Sequence, residues 1–315
     1  MNLSINTALT ILDCNNNSLT SLDVSANTAL TYLACSFNSL TSLNVITNTA
    51  LTSLQCHFNS LTSLNVSTNT ALTSLQCHFN SLTSLNVSTN KALTTLTCYN
   101  NPLSSLNVST NTNLDNLQCN NNSLTSLNIS ANPAISVLNC SNNLLTSLNV
   151  SSNTALVALN CSNNLLTSLN VKNTNNTNFV SVLFSAINNP NLTCIEVDNA
   201  AYSTTNWTNI DGTASFSEDC SLSTSIYHHL LENNINIYPN PTKEQINFSV
   251  HASVQLTNVT GQIIAEKKNV NSLDLSDQPT GIYFLTLIDN NGQVFQQNKI
   301  VKEQLCLTAS VSLRA

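Results

Sequence analysis

The sequence predicts a mainly β protein, in which a solenoid of short strands is followed by a small immunoglobulin-like β-sandwich. Three observations support this prediction. A 21-residue pattern occurs eight times between residues 3 and 171. Within each copy the apolar residues alternate over two short stretches, which is the period of a β-strand. From residue 235 onward the pattern gives way to six longer alternating stretches, separated by turn residues such as Gly and Pro.

One copy of the repeat reads L-x-x-L-x-C-x-x-N-x-L-x-x-L-x-V-x-x-N-x-x, as in residues 51–71. Leu54 and Cys56 alternate in the first half, and Leu64 and Val66 in the second, so we expect a short strand on each side of every coil. A strand this short cannot bury its apolar side alone, but stacked copies can form a continuous core. The regular solenoid is predicted for residues 1–172.

Cysteine occupies one position of every coil. The residues are Cys14, Cys35, Cys56, Cys77, Cys98, Cys119, Cys140 and Cys161. We interpret them as free thiols that point into the leucine core and act as small apolar side chains; scattered disulfides are the alternative. Zinc sites need clustered pairs such as C-x-x-C, which do not occur here, so we expect no metal and no cofactor.

Asparagine marks the two bends of each coil. One column is Asn17, Asn38, Asn59, Asn80, Asn101, Asn122, Asn143 and Asn164, and the other runs from Asn6 to Asn153 at the same spacing. The repeats contain no glycine, and Asn tolerates left-handed backbone and can bond to its own chain. We therefore expect these side chains to satisfy buried backbone groups in the bends.

These residues resemble the leucine-rich-repeat family, and they are most similar to its short bacterial subclass of about 21 residues, in which the position of Cys56 often holds leucine. The match covers residues 3–171. Because both halves of each coil have strand character, we expect no helix on the outer side and weak curvature. Met1 is followed directly by the end of a repeat, without a signal peptide, so we expect a truncated N-terminal region.

Residues 173–222 are predicted to form a degenerate ninth coil and a cap. Leu183 and Ser185 are expected to take the places of the second Leu and the Cys, and Asn188 that of the Asn. The segment that contains Trp207 should cover the open end of the core. Cys194 and Cys220 bracket this region and can staple it, which is worth about 3–4 kcal/mol on the chain-entropy model; a disulfide and two free thiols both remain open.

Residues 223–234 are predicted to be a linker, in which His228 and His229 lack a third metal ligand. Residues 235–303 resemble the C-terminal sorting domain of the bacterial type IX secretion pathway. The residues that carry this resemblance are Tyr238, Pro239, Asn240, Pro241, Gly261, Gly281, Tyr283, Lys299 and Lys302. The resemblance implies export from a Gram-negative bacterium, the secretion machinery as a partner, and a location outside the cell or on its outer surface. Residues 304–315 form an atypical tail, because such domains normally end near Lys302.

Composition excludes several classes of function. Charged residues make up 7% of the chain and the net charge is −7. Nucleic acid is an improbable partner, because binding it requires clusters of Lys and Arg. No run of 18 apolar residues exists, so no transmembrane segment is expected. Because no catalytic constellation is visible, we do not expect an enzyme.

The repeats carry one local group of aromatic and histidine residues, which is the candidate binding site for an unknown protein or glycan. Its members are Tyr32, Phe37, His57, Phe58, His78, Phe79 and Tyr99. We expect His57, His78 and Tyr99 to point outward. For the three phenylalanines we favour the alternative that they pack down into the bend.

Two other interpretations of the solenoid remain open. One is a ligand-free structural spacer. The other is recognition of a periodic surface, such as polysaccharide or ice, by a ladder of hydroxyl groups on the second side. That ladder consists of a threonine column from Thr20 to Thr167, with Ser104 in one coil, and a serine column from Ser21 to Ser168.

Overall fold

The computed structural model describes residues 3–220, 235–288 and 294–304. These residues belong to two compact units, Met1–Ser221 and Leu222–Ala315, and each unit is described by itself. The predicted linker, with His228 and His229, and Cys306 with the tail from residue 305 lie outside the described residues.

The first unit is the predicted solenoid. Its strands are β1 (Ile11–Asp13), β2 (Tyr32–Ala34), β3 (Ser53–Gln55), β4 (Ser74–Gln76), β5 (Thr95–Thr97), β6 (Asn116–Gln118), β7 (Val137–Asn139), β8 (Ser147–Asn149), β9 (Ala158–Asn160), β10 (Ser168–Asn170), β11 (Phe184–Ser185), β12 (Cys194–Glu196) and β13 (Ser215–Ser217). Nine of them form a parallel sheet in the order β1-β2-β3-β4-β5-β6-β7-β9-β11. Residues 21 apart pair in this sheet, for example Leu33 with Leu54, so the sequence period is the stacking period.

The second side of the coils is less regular than predicted. A hydrogen-bonded sheet forms there only between β8, β10, β12 and β13, while the first three coils are joined by bridges between Asp23, Asn44 and Asn65. The inward leucines of this side are 7–9% exposed from Leu22 to Leu127, but 2% exposed at Leu148 and Leu169. The inward leucines of the earlier coils are therefore slightly less enclosed on the second side than those of the last two regular coils.

The core is a set of parallel columns. Leucine, cysteine and valine from every regular coil are buried together in one cluster. All eight repeat cysteines are buried and none is in a disulfide. Burial disfavours the thiolate and raises the pKa of Cys56, Cys98 and Cys161 to about 12.

The Asn38–Asn164 column joins neighbouring coils. In a typical member, Asn59 Nδ2 donates to the carbonyl oxygens of Cys35 (3.0 Å) and Cys56 (3.1 Å). Its Oδ1 accepts from the backbone N–H of Leu40 at 2.9 Å. The other column bonds through its Nδ2 groups alone: Asn69 Nδ2 donates to the carbonyl oxygens of Val45 and Asn48, while its buried Oδ1 has no partner among the described residues. The bends therefore satisfy their backbone groups through Asn side chains rather than through glycine turns.

The ninth coil is shifted by one residue from the prediction. Phe184, rather than Leu183, pairs with Leu159 and takes the leucine place. Ala186 therefore stands in the cysteine place. The amide that accepts from the Leu166 backbone belongs to Asn189 rather than to Asn188. The prediction was wrong here because the insertion before the coil removes the landmarks that fix the alignment.

The cap closes the last coil with aromatic side chains and a short helix. Helix α1 (Ala200–Asn206) begins at Asn199, whose side chain accepts from the Tyr202 backbone N–H. It leads to Trp207, which is 1% exposed and stacks on Phe184 with ring centroids 4.2 Å apart. A disulfide joins Cys194 in β12 to Cys220.

The second unit is one curled antiparallel sheet. Its strands are β14 (Ile237–Tyr238), β15 (Gln245–Asn258), β16 (Ile263–Asp274), β17 (Gly281–Ile288) and β18 (Val294–Lys302), in the order β14-β15-β17-β18 with β16 on the other edge of β15. Two pairs of predicted stretches are continuous in β15 and β16, and register shifts between Asn247 and Val254 let these long strands bend. The small sandwich predicted here is thus built from a single sheet that encloses its own core.

Candidate binding surface

Six of the seven predicted aromatic and histidine residues form one continuous cluster, which we call the aromatic cluster. It consists of a phenylalanine ladder (Phe37, Phe58 and Phe79) and a histidine–tyrosine ladder (His57, His78 and Tyr99). In each regular coil the strand of the first sheet is followed by an inward Cys, and the cluster members occupy one or both of the next two positions in four successive coils. Stacking the coils in register therefore superposes side chains that are 21 residues apart.

The rings contact one another both along and between the ladders. In the phenylalanine ladder, ring centroids are 4.3 Å apart between Phe37 and Phe58 and 4.1 Å apart between Phe58 and Phe79, and the rings are nearly parallel. His78 stacks in the same way on His57 (4.2 Å) and Tyr99 (4.3 Å). Rings of different ladders meet edge to face at 5.5–6.0 Å.

The phenylalanines stand at the left-handed position of the bend. Their φ angles are 53° at Phe37 and 50° at Phe58 and Phe79. The other five regular coils have Asn at this position, namely Asn16, Asn100, Asn121, Asn142 and Asn163. The left-handed residue is thus the one before the Asn column, and a bulky L-residue there costs roughly 1–2 kcal/mol that Asn largely avoids.

The exposure of the two ladders differs from the expectation at Phe37, Phe79 and His78. Phe37 is 45% exposed and Phe79 38% exposed, so these two rings do not pack down into the bend, while Phe58 is half-buried between them. His78, which we expected to point outward, is only 7% exposed, and His57 and Tyr99 are half-buried. The physical reason is the backbone: a left-handed residue directs its side chain away from the core, and the ring then covers the neighbouring histidine row.

The cluster carries no charge at neutral pH. Burial lowers the pKa of His57, and burial together with the neighbouring His57 lowers the pKa of His78 to about 4. His57 Nδ1 lies 2.8 Å from the Ser36 hydroxyl, which fixes the imidazole at the first coil of its ladder. Residues 24–90 contain no Lys, Arg, Asp or Glu, so the surroundings are also uncharged.

Tyr32 is separate from the cluster. It begins β2, at the opposite end of the strand from Phe37, and makes no ring contact among the described residues. Gln55 and Gln76 are the last residues of β3 and β4, and their side chains are half-buried. The sequence analysis did not single them out. A polar residue at an outward strand position looks the same in the sequence whether its side chain is solvated or belongs to a binding site. Only the fold shows which residues lie next to it.

The hydroxyl ladder on the second side is exposed along its whole length. Its serine column borders a shallow depression of about 250 Å³ between two coils, lined by Ser126, Asn128, Ser147 and Asn149 among others. No group of three or more His, Cys, Asp or Glu side chains in the described part of the chain could hold a metal ion.

Among the residues that carry the resemblance to a sorting domain, Asn240 connects the beginning of the second unit to its last strand, and Lys302 connects that strand to the turn after β16. Asn240 Nδ2 donates to the Lys299 carbonyl (2.7 Å), and its Oδ1 accepts from the Val301 N–H (2.9 Å). Lys302 Nζ donates to the carbonyl oxygens of Leu275, Ser276 and Gln278.

The remaining residues of this set shape the turns. Tyr283 donates its hydroxyl to the Pro279 carbonyl at 2.7 Å. Gly261 has a φ of 85°, which suits a residue without a side chain, and Gly281 begins β17. Tyr238 lies in β14, where its ring is exposed, and the Pro239–Pro241 segment follows it.

A comparison with protein-family models decides the nature of this unit. Residues 236–303 match the model of the secretion system C-terminal sorting domain. This segment is a sorting domain. Such a domain indicates export by type IX secretion to the cell surface or outside the cell. No helix in the residues that the structure describes has both the length and the apolarity to cross a bilayer.

Solved structures similar to the chain are leucine-rich-repeat proteins. The functional domain of InlJ from Listeria monocytogenes, which is described as including a cysteine ladder, is 25% identical over 96% of this chain and 83% of its own, with a TM-score of 0.52. The internalin inlF from Listeria monocytogenes shares 19% identity over 69% of this chain and 63% of its own, with a TM-score of 0.52, and shows the fold alone. No curated protein sequence matches the chain. A leucine-rich-repeat fold joined to a sorting domain indicates a secreted interaction module.

Proposed function

We propose that the chain is a non-enzymatic binding protein, and that it holds a protein or glycan partner on the aromatic cluster. The observation that carries this proposal is that three successive coils have Phe at the left-handed position, where the other five regular coils have Asn. Five coils show that Asn serves the fold at this place. Strained backbone combined with exposed apolar rings is a combination typical of functional sites.

The energetics of the cluster support a role beyond folding. Ring pairs of this kind contribute about 0.5–1.5 kcal/mol each, which is comparable to the strain of the left-handed backbone. The ladder is therefore close to neutral for stability, while it places three large apolar side chains at the surface. Aromatic residues grouped in this way are typical anchors of binding interfaces.

Arrays of purified proteins and of glycans test the proposal. The full chain is compared with the variant F37N/F58N/F79N, which places at each bend the residue used by the other coils. We expect the parent to bind a partner and the variant to bind it at least 30-fold more weakly, because removing a central aromatic anchor costs about 2 kcal/mol or more. The free energy of unfolding of the variant should lie within about 2 kcal/mol of that of the parent. The relief of left-handed strain offsets the loss of ring stacking.

A second variant controls for the hydroxyl ladder. In S63A/S84A/S105A the second side loses three hydroxyl groups and the aromatic cluster is untouched. Binding that is lost in this variant and kept in F37N/F58N/F79N would contradict the proposal and favour the periodic-surface alternative. A parent chain that binds nothing on either array would instead favour the spacer.

A further inference from the structure

The stacking geometry of the phenylalanine ladder limits the chemistry of what can bind to it. Phe58 lies between two nearly parallel rings, at interplanar angles of 12° to Phe37 and 19° to Phe79. Both faces of its ring and the inner faces of the two outer rings are therefore covered. Apart from the outer faces of Phe37 and Phe79 at its two ends, the ladder therefore presents ring edges.

Edges and faces of aromatic rings attract different groups. The ring face is electronegative and the edge electropositive. A saccharide stacks on an aromatic side chain by placing its weakly positive C–H bonds against a free face, and Phe58 offers none. An edge instead attracts the face of another aromatic ring, and it packs equally well against aliphatic groups. The groups that best complement the ring edges of the ladder are therefore aromatic or aliphatic side chains of a protein.

The surroundings of the ladder add hydrogen-bonding groups without charge. His57, His78 and Tyr99 line one flank, and their edge-to-face contacts with the phenylalanines hold the rings in place. Gln55 and Gln76 lie two residues before the histidines on the same outward face, and their side-chain amides have no hydrogen-bond partner among the described residues. A charged partner finds no complement between residues 24 and 90.

We infer that the ligand of the phenylalanine ladder is a protein, which lays aliphatic or aromatic side chains across the ring edges of three successive coils. Polar groups of the same partner reach the free amides of Gln55 and Gln76. This inference rests on the proposed function and narrows its partner from protein or glycan to an uncharged, apolar protein surface.

Selection from a displayed library of random peptides tests the inference. The full chain is the bait and F37N/F58N/F79N is the counter-selection. Peptides enriched on the parent should carry at least two aromatic or aliphatic side chains. They should bind the parent at least 30-fold more tightly than the variant, and change affinity less than about twofold between 50 and 500 mM NaCl, because no ion pair contributes. A panel of neutral oligosaccharides is measured beside them and should not discriminate between the two proteins.

The outcomes separate this inference from the proposal on which it rests. An oligosaccharide that binds the parent and loses 30-fold or more in the variant would overturn the inference while leaving the aromatic cluster as the site. Enriched peptides that are dominated by charged residues, with a steep loss of affinity in salt, would overturn it as well. Peptides or sugars that bind parent and variant equally would overturn the proposed function itself.

Discussion

Raising the pH from 8 to 10 under reducing conditions should lower the free energy of unfolding of the solenoid by roughly 10 kcal/mol. Burial raises the pKa of Cys56, Cys98 and Cys161 to about 12 and raises the pKa of the neighbouring repeat thiols in the same direction, whereas an unfolded thiol titrates near 9. The unfolded chain therefore releases protons first as the pH rises. At pH 10 each such thiol contributes about 1.4 kcal/mol in favour of unfolding. Seven of the eight repeat thiols are fully buried and count at this value, whereas Cys14 in the first coil is less enclosed.

The sign of this effect follows from the direction of the shift. A raised pKa in the folded state means that the full stability is present below about pH 9 and is lost progressively toward pH 12. Since the total stability of a domain is about 5–15 kcal/mol, the solenoid should unfold in this window. Urea denaturation at pH 7.5, 9 and 10 measures the loss.

A cysteine variant separates the thiols from tyrosine and lysine, which titrate in the same range. C56V/C98V should lose about 3 kcal/mol less than the parent between pH 8 and 10, because two of the thiols are absent. An identical pH dependence in parent and variant would show that the thiols are not the source. It would also contradict the buried cysteine column.

Replacing Asn80 by Leu should destabilise the solenoid by about 1–3 kcal/mol. Asn80 Nδ2 donates to the carbonyl oxygens of Cys56 (3.0 Å) and Cys77 (3.1 Å), and Oδ1 accepts from the Leu61 N–H at 2.9 Å. Leucine leaves the Leu61 N–H without a partner inside the bend, which costs about 1–3 kcal/mol. The two carbonyl oxygens each keep a second hydrogen bond, from the side chains of Asn59 and Asn101. Because the groups belong to neighbouring coils, the loss should also weaken their stacking.

An exposed asparagine supplies the control for this measurement. Asn65 makes one local contact, in which its Oδ1 accepts from the Ser67 N–H. Asn65→Ala should therefore cost no more than about 1 kcal/mol. Equal losses for Asn80→Leu and Asn65→Ala in urea denaturation would refute the claim that the Asn column holds the bends together.

The sequence predicted the solenoid well because period, burial and bend chemistry repeat eight times. Leu54, Cys56 and Asn59 each occupy a column, and an error in one coil is corrected by the others. The ninth coil has no such support, and Phe184 was therefore misplaced by one residue. Strands on the second side were predicted for every coil, and they form in β8, β10, β12 and β13, while earlier coils show bridges such as that between Asp23 and Asn44. A short alternating stretch predicts an extended backbone but not how completely neighbouring coils bond.

The sequence identified the residues of the aromatic cluster but not which of their side chains are exposed. In coils such as Asn121–Asn122, two consecutive asparagines hide which one is left-handed. The sequence therefore did not show that Phe37 stands at the left-handed position and points outward. In the sorting domain, Asn240 and Lys302 were identified through resemblance alone, and only the structure shows that they fasten backbone groups of β18 and the turn after β16.

Hydroxyl-radical footprinting with mass spectrometry tests the central claim most directly, because it reports which side chains of the intact protein meet water. The claim is that every regular coil turns its thiol inward, and that Phe37 and Phe79 turn their rings outward at the bends of their coils. We predict that Phe37 and Phe79 are oxidised in the folded chain, while Cys56, Cys77 and His78 are protected although sulfur and imidazole are intrinsically more reactive. Oxidised repeat thiols beside protected phenylalanines, in protein that remains folded, would contradict the account.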